Sequence, residues 1–254
     1  MDYLKFAKTV AREAGEIIRN GYDKKRNINF KAGRELVTDI DMASENHIRE
    51  RISKEYPEHH ILAEEKGGNI DADKYLWVID PLDGTTNFAH GFPIFCVSIA
   101  LAYNGEIILG AIYEPLRNEI FWTKKDSKSY LNDDIIEVAG AKRLSEALLA
   151  TGFPYDIAHD NENNLENFRK LSLGARGLRR AGSAAMDLCY VACGRLDGFW
   201  EMKLKPWDMA AGSIIVENAG GKCTDYQDNR WTLDSDRIIA ANPGLHPRMS
   251  ELIE

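Results

Sequence analysis

Cysteine is scarce in this sequence: four among 254 residues, Cys96, Cys189, Cys193 and Cys223, with no C-x-x-C pair. Spread through apolar surroundings, they argue against a disulfide framework and a zinc site. Cys189 and Cys193, one helical turn apart, are read as small reduced core residues, because no histidine or third cysteine joins them. A long apolar run is missing from the start, where MDYLKFAKTVAREAGEII carries charges throughout. Neither a signal peptide nor a membrane anchor is expected there, and a cytoplasmic location is the default. Positive charge is in the minority, with Lys and Arg at 32 against Asp and Glu at 40, a net charge of −8 and a pI near 5.4. General affinity for nucleic acid is thereby disfavoured, and the acids themselves become the question, since carboxylates gathered around metal ions produce the same balance. Linkers, repeats and low-complexity runs are absent as well. What remains is 44% hydrophobic and 28% charged, the composition of a globular protein long enough to bury a large core.

Periodicity divides the chain into two regions. Leu4, Ala7, Val10, Ala11, Ala14, Ile17 and Ile18 share one face of a helix over 3–21, with Asp2 as N-cap. The polar stretch DKKRNINFKAGRELVTD predicts a short strand followed by a mobile loop. A second helix is predicted from about Thr38 to Glu55, with Ile40, Ala43, His47, Ile48 and Ile52 inward and Pro57 closing it. HHILAEE, YLWVID, NEIFWTK and DDIIEVAG then read as strands of an antiparallel sheet. IFCVSIALAYNGEIILGAIYEP reads as a hairpin turning at Asn104-Gly105. After about residue 140, strands and helices alternate: ALLATG, a helix near 162–173, ARGLRRA, a helix at 183–194, LDGFWE, a helix at 206–219, KCTDY, RIIAA and a last helix. The expectation is an α+β region over 1–140 and an α/β region over 141–254, packed as one body with a site at their seam.

Chemistry concentrates in WVIDPLDGTTNFAHGFP, residues 77–93. Asp-Pro and Asp-Gly are turn formers, which accounts for Asp83 and less well for Asp80, an acid closing an apolar run. A hard cation offsets such a carboxylate, and D-P-x-D lets Asp80, Asp83 and the Leu82 carbonyl converge on a small volume. Glu64 and Glu65 end the preceding strand; if that strand lies beside YLWVID, acids of both stand at one sheet end. Asp208 sits in the first turn of the helix that begins near Pro206, where dipole compensation alone would account for it. Gly84-Thr85-Thr86 opens a segment able to form a helical turn, whose Gly84 and Thr85 amides suit a phosphate. Metal ligands beside an anion cradle imply phosphoryl transfer to water.

These stretches resemble the inositol monophosphatase family of Mg²⁺-dependent, lithium-sensitive phosphatases. WVIDPLDGTTNF fits the family's first signature and KPWDMAAGSIIVENAGG its second, and LVTDID, the EE pair and GSAAMDLCYVACGRLDGFWE stand in the corresponding places. The resemblance implies a layered αβαβα sandwich of the inositol monophosphatase and sugar phosphatase type, homodimers, and two or three Mg²⁺ per site. By the same resemblance Glu64, Asp80 and the Leu82 carbonyl hold a first ion; Asp80, Asp83 and Asp208 hold a second; Glu64 faces a third, weaker one. Thr85 with Asp41 orients the attacking water, the Gly84 and Thr85 amides bind phosphate, and Ser183, Ala184 and Glu201 contact substrate hydroxyls. Lys31 corresponds to a loop lysine near the metals. From the residues alone Asp41 reads as an exposed acid of a helix's first turn, and Glu65 as an acid pointing away from the ligands.

The implied activity is hydrolysis of myo-inositol 1-phosphate and related inositol or sugar phosphates. Fructose 1,6-bisphosphate is the alternative, alone or together with inositol phosphate, followed by nucleotide 3′-phosphates, histidinol phosphate or a non-catalytic regulatory role. Lys203 and Lys205, and Arg176, Arg179 and Arg180, are candidates for holding a second phosphate, against the alternative of a solvated basic face. The expected partners are the small phosphorylated substrate and a second copy of the chain, and neither nucleic acid nor membrane is expected.

Overall fold

A computed structural model of the chain describes residues 2–22, 28–32, 35–68 and 74–254. The first helix, α1 (Tyr3–Tyr22), begins where the Asp2 carboxylate accepts the Lys5 amide at 3.1 Å, and it buries Ala7, Val10, Ala11, Ala14 and Ile18. β1 (Ile28–Ala32) and β2 (Glu35–Thr38) pair antiparallel, so a two-stranded ribbon stands where one strand and a loop were expected. Lys31 lies on β1, and its side chain is outside the described residues.

α2 (Asp39–Glu55) starts at a capping box: the Thr38 hydroxyl accepts the Ile40 and Asp41 amides, and Asp41 Oδ2 accepts the Thr38 amide at 2.8 Å. Its buried stripe is Asp41, Ser44, Glu45, Ile48 and Ile52, whereas Ala43, expected inside, is exposed. The helix is rotated from the apolar expectation because the buried side chains of Asp41, Ser44 and Glu45 find hydrogen-bond partners in neighbouring segments.

Seven strands form the first sheet in chain order: β3 (His60–Ala63), β4 (Tyr75–Asp83), β5 (Cys96–Tyr103), β6 (Glu106–Glu114), β7 (Glu119–Lys124), β8 (Ser129–Leu131) and β9 (Asp134–Ile136). Neighbours are antiparallel except β3 and β4, which run parallel. Asn104 (φ 51°) and Gly105 (φ 75°) turn β5 into β6 as expected. β8 has no counterpart in the sequence reading; its Tyr130 stacks on Trp122 of β7 at 4.2 Å, which seats a strand only three residues long. A short helix, α3 (Thr85–His90), follows β4.

The second sheet has the order β11-β10-β12-β14-β13, from β10 (Leu148–Thr151), β11 (Gly177–Arg179), β12 (Gly198–Met202), β13 (Lys222–Thr224) and β14 (Arg237–Ala241). β10 runs parallel to both β11 and β12, and β14 antiparallel to β12 and β13. Between and after these strands come α4 (Leu165–Gly174), α5 (Ala184–Ala192), α6 (Pro206–Asn218) and α7 (His246–Ser250).

Alternation along the strands sorts side chains into layers. Trp77, Ile79, Ile99, Leu101 and Tyr113 face α1 and α2, while Val78, Ala100, Ile112 and Phe121 face α5 and α6. The other side of α5 and α6 meets Phe199, Ile238 and Ala240 of the second sheet, whose reverse face packs Trp200, Ile239 and Ala241 on Leu171 of α4 and Met249 of α7. Helices covered on both sides are apolar almost all round, as α5 and α6 are. The result is the αβαβα sandwich expected from the sequence, with the two central helices shared by both sheets. Among the described residues no helix is long and apolar enough to cross a membrane.

Candidate active site

The D-P-L-D stretch is a β-bulge. Asp80 pairs with Ser98 and Asp83 with Cys96, so Pro81 and Leu82 oppose the single residue Val97. Proline is tolerated in this ladder because the bulge needs no hydrogen bond from it. The Leu82 amide donates to Asp80 Oδ1 at 2.9 Å and fixes the bend. Acids three apart on a regular strand point to opposite faces; the extra residue turns both Asp80 and Asp83 into one cleft.

Parallel pairing of β3 with β4 sets Ala63 opposite Ile79, and the Glu64 amide donates to the Ile79 carbonyl at 3.2 Å. Glu64 therefore enters the cleft next to Asp80, as the shared sheet end requires, and Glu65 lines the cleft too. Asp208 comes from the first turn of α6, where its Oδ2 accepts the Lys205 amide at 2.7 Å. Ser98, the partner of Asp80, donates to the Trp207 carbonyl at 3.3 Å, which joins the start of α6 to β5. Asp41 is fully buried, so it is not the exposed helical acid that the residues alone suggested. Its Oδ1 accepts the Thr85 hydroxyl at 2.9 Å, and that hydroxyl also lies 3.0 Å from the Leu82 carbonyl oxygen.

Like charges crowd here. Burial pushes Asp80 well above the usual carboxylate range, and Glu64, Asp83 and Asp208 push it further. Asp208 is raised by burial and by Asp83, against the pull of the Lys205 amide. Asp83 is pushed up to about 6 by burial, opposed by the Ser183 hydroxyl and the Ala185 amide. Among the described residues no three acids, histidines or cysteines stand in metal-holding geometry, and one oxygen each of Asp80, Asp83 and Asp208 accepts a backbone amide. The donor set is nonetheless all oxygen, anionic and desolvated, which fits a hard divalent cation.

The cleft, about 870 Å³, continues from these acids to a polar wall of Ser183, Ala184, Arg180 and Glu201. Glu201 is pushed up to about 8 by burial, with Arg180 lowering it and Asp83 raising it. A side chain at Gly152 would collide with the Glu201 carboxylate, so the glycine keeps that wall open. Ser183 donates to Asp83 Oδ2 at 2.7 Å and accepts the Met186 amide as N-cap of α5. Its hydroxyl thus holds a carboxylate, and Ser183 also lines the cleft in which the resemblance implied a substrate contact. Gly84 starts α3 in a left-handed conformation, φ 96°, as the expected helical turn demands. Of the basic candidates, Arg180, Lys203 and Lys205 line the cleft; Lys203 is paired with Asp156 and Asp160, and Arg179 is exposed on β11.

Several residues that build the site were passed over in the sequence. Ser44 donates to the Pro81 carbonyl at 2.8 Å, and Glu45, fully buried, accepts the Glu65 and Lys66 amides at 2.8 and 3.1 Å. Asn87 Nδ2 donates to the Ala181 carbonyl at 2.8 Å and ties α3 to the segment before Ser183. Asp187, one turn into α5, is buried with an oxygen that finds no hydrogen-bond partner among the described residues, and burial followed by Glu201 and Asp83 raises it well above the carboxylate range.

Comparison with known proteins adds an independent line. The profile of the inositol monophosphatase family matches residues 2–254. A Nus factor SuhB of Pseudomonas aeruginosa is 44% identical over 94% of this chain and 91% of its own length, and an inositol-1-monophosphatase of Synechocystis is 42% identical over 99% and 88%. Among solved structures, the extragenic suppressor protein suhB of Bartonella henselae superposes with a TM-score of 0.93 at 35% identity, covering 99% of this chain and 98% of that one.

Proposed function

The chain belongs to the inositol monophosphatase family and is a phosphatase, and from that premise we propose that it hydrolyses inositol 1-phosphate and related polyol or sugar monophosphates with Mg²⁺. The observation that carries the reading is the meeting of Glu64, Asp80, Asp83 and Asp208, from three separate parts of the fold, in one cleft where neighbouring acids add to the burial that raises Asp80 and Asp208. Two or three Mg²⁺ fit this charge: one on Glu64, Asp80 and the Leu82 carbonyl, one on Asp80, Asp83 and Asp208, and a weaker one at Glu64. Such ions supply charge neutralisation of the phosphate and a more acidic water.

The rest is the work of the chain. Thr85 accepts a hydrogen bond from the attacking water while donating its own proton toward Asp41, whose place at the capping box keeps its Oδ1 on that hydroxyl. The Gly84 and Thr85 amides at the start of α3 receive phosphate oxygens. At the other end Glu201, protonated at neutral pH in the absence of ligand, donates to a substrate hydroxyl, with Ala184 beside it. Ser183 sets the rotamer of Asp83, and Lys31 is assigned to the metal end by the resemblance alone. Cytoplasmic, homodimeric and lithium-sensitive behaviour belongs to the same reading.

Monophosphates rank above fructose 1,6-bisphosphate because Lys203, a candidate for a second phosphate, already grips two aspartates. Phosphate release from inositol 1-phosphate and from fructose 1,6-bisphosphate, each with and without Mg²⁺, tests this. Equal catalytic efficiency on the two esters overturns the ranking, and turnover that ignores Mg²⁺ overturns the mechanism.

A further inference from the structure

Residues 153–163 form a strap whose first part borders the cleft, with Phe153, Tyr155, Asp156 and Ile157 lining it. Both ends are anchored at one residue. Asn164, buried and in a left-handed conformation (φ 68°), donates to the Gly152 carbonyl at 2.7 Å and to Thr151 Oγ1 at 2.9 Å, and accepts the Trp200 indole N–H at 2.8 Å. The strap is thus a closed loop of the kind that holds its shape by its ends.

Its middle is held differently. The Lys203 ammonium reaches Asp160 Oδ2 at 2.6 Å and Asp156 Oδ2 at 2.8 Å, and Asp160 in turn accepts the Glu162 amide at 2.9 Å. Nearer the anchored end, Arg237 adds a bond to Glu162 at 2.9 Å. Lys203 stands just past β12, two residues after Glu201, with φ 58°. That is a backbone conformation glycine adopts freely and a lysine adopts at a cost, so the fold holds a strained residue where its ammonium meets the strap.

We propose that Lys203 is a positioning residue that sets specificity for the alcohol half of the substrate. By latching the strap to the end of the strand that carries Glu201, it fixes the gap between the Glu201 wall and the Tyr155 and Ile157 wall, where a polyol ring sits. The inference rests on the reading that Glu201 faces substrate hydroxyls. Exposed ion pairs add little to global stability, and the two aspartates are about half exposed. A strap tied at its ends opens locally without unfolding the domain, so the latch acts on substrate affinity more than on melting temperature.

The test compares the wild type with K203M, D156N/D160N and the combined variant, all Mg²⁺-loaded, on inositol 1-phosphate and on glycerol 2-phosphate, whose three-carbon alcohol lacks the polyol ring. Methionine keeps an unbranched side chain, one atom shorter, and the backbone strain while removing the charge. We expect K203M to raise KM for inositol 1-phosphate about three- to tenfold, with kcat and the KM for glycerol 2-phosphate changing less than about twofold. The combined variant should match D156N/D160N, because the three groups act as a unit. Chymotryptic cutting after Tyr155, followed by mass spectrometry, should accelerate about three- to tenfold in K203M while cutting at Tyr103 stays constant. Equal KM shifts on both esters, or no faster cutting of the strap, overturn the latch. If the wild type turns over neither ester, the function reading fails while the cutting rates still decide the latch.

Discussion

Ser183 donates its hydroxyl to Asp83 across 100 residues of chain, at 2.7 Å, and the same carboxylate oxygen accepts the Ala185 amide at 2.7 Å. The first sheet supplies the acid and the start of α5 supplies its orientation, so the second region of the chain acts on the metal end before any substrate arrives. Replacing Ser183 by Ala removes this bond and the cap of α5 together. The half-saturating Mg²⁺ concentration should rise about 10- to 100-fold, as for other residues that orient metal ligands, and stability should fall by about 1 kcal/mol. Ser183→Thr, which keeps the hydroxyl, should recover most of the Mg²⁺ affinity. A Mg²⁺ titration of phosphate release unchanged in Ser183→Ala contradicts this role.

Asp83→Asn separates charge from shape. The amide oxygen of asparagine can still accept from Ser183 and Ala185, and the loss of one negative charge relieves Asp80 and Asp208, both raised in part by Asp83. The metal-free variant should therefore melt no lower than the metal-free wild type at pH 7, while Mg²⁺-dependent phosphate release drops about a hundredfold or more. Added Mg²⁺ should raise the melting temperature of the wild type, by about 2.7 kcal/mol of linkage at a hundred times its dissociation constant, and leave that of Asp83→Asn nearly unchanged. Normal turnover in the variant sinks the metal assignment.

How much of this could be read from the chain depends on how far apart the cooperating residues lie. Asp80, Pro81, Leu82, Asp83 and Gly84 are contiguous, so acids and turn are visible together while the bulge emerges only from the pairing with β5, and the pairing of Glu64 with Asp80 needs only two neighbouring strands. Thr38 and Asp41 are visible as a cap, yet the Asp41 bond to Thr85 is not, because a first-turn acid looks the same whether solvent or a threonine receives it. Ser44 and Glu45 escaped for a related reason: helical periodicity looks for apolar residues on the inner face, and here the inner face is polar where its partners are Pro81, Glu65 and Lys66. Lys203 read as a phosphate ligand or as part of a solvated basic face because charge alone is legible, and the aspartates that engage it lie more than forty residues earlier.

Glu45 gives a direct test of that hidden polar stripe. Its two oxygens accept the Glu65 and Lys66 amides, and these bonds shape the turn that presents Glu64. Glu45→Gln retains one acceptor and turns an N–H₂ group toward the other amide, leaving a donor unpaired in a buried place. We expect a loss of about 1–3 kcal/mol in stability and a weaker Mg²⁺ dependence, with a half-saturating concentration at least about tenfold higher. Denaturant unfolding and the Mg²⁺ titration check the two effects separately. Loss of stability with wild-type Mg²⁺ affinity means that Glu45 supports the fold without supporting Glu64.

The steepest pH effect on stability away from the cleft should come from His246. The ring is fully buried at the start of α7, with Nε2 3.0 Å from the Thr224 hydroxyl, and burial lowers its pKa to about 4, with Lys222 lowering it and Asp228 raising it. In the unfolded chain the imidazole takes a proton near pH 6.5, whereas the folded chain resists until about pH 4. Between these values the unfolded state binds more protons, so stability is full above about pH 6.5 and falls as the pH drops toward 4, by about 3 kcal/mol in total. His246→Gln keeps a polar group on Thr224 and cannot be protonated; although its stability at pH 7.5 should be lower, its slope between pH 6.5 and 4 should be shallower by that amount. Urea unfolding of the metal-free proteins across this window isolates the difference, since the cleft acids titrate alike in both. Parallel curves for wild type and variant show that the buried imidazole does not control the acid limb.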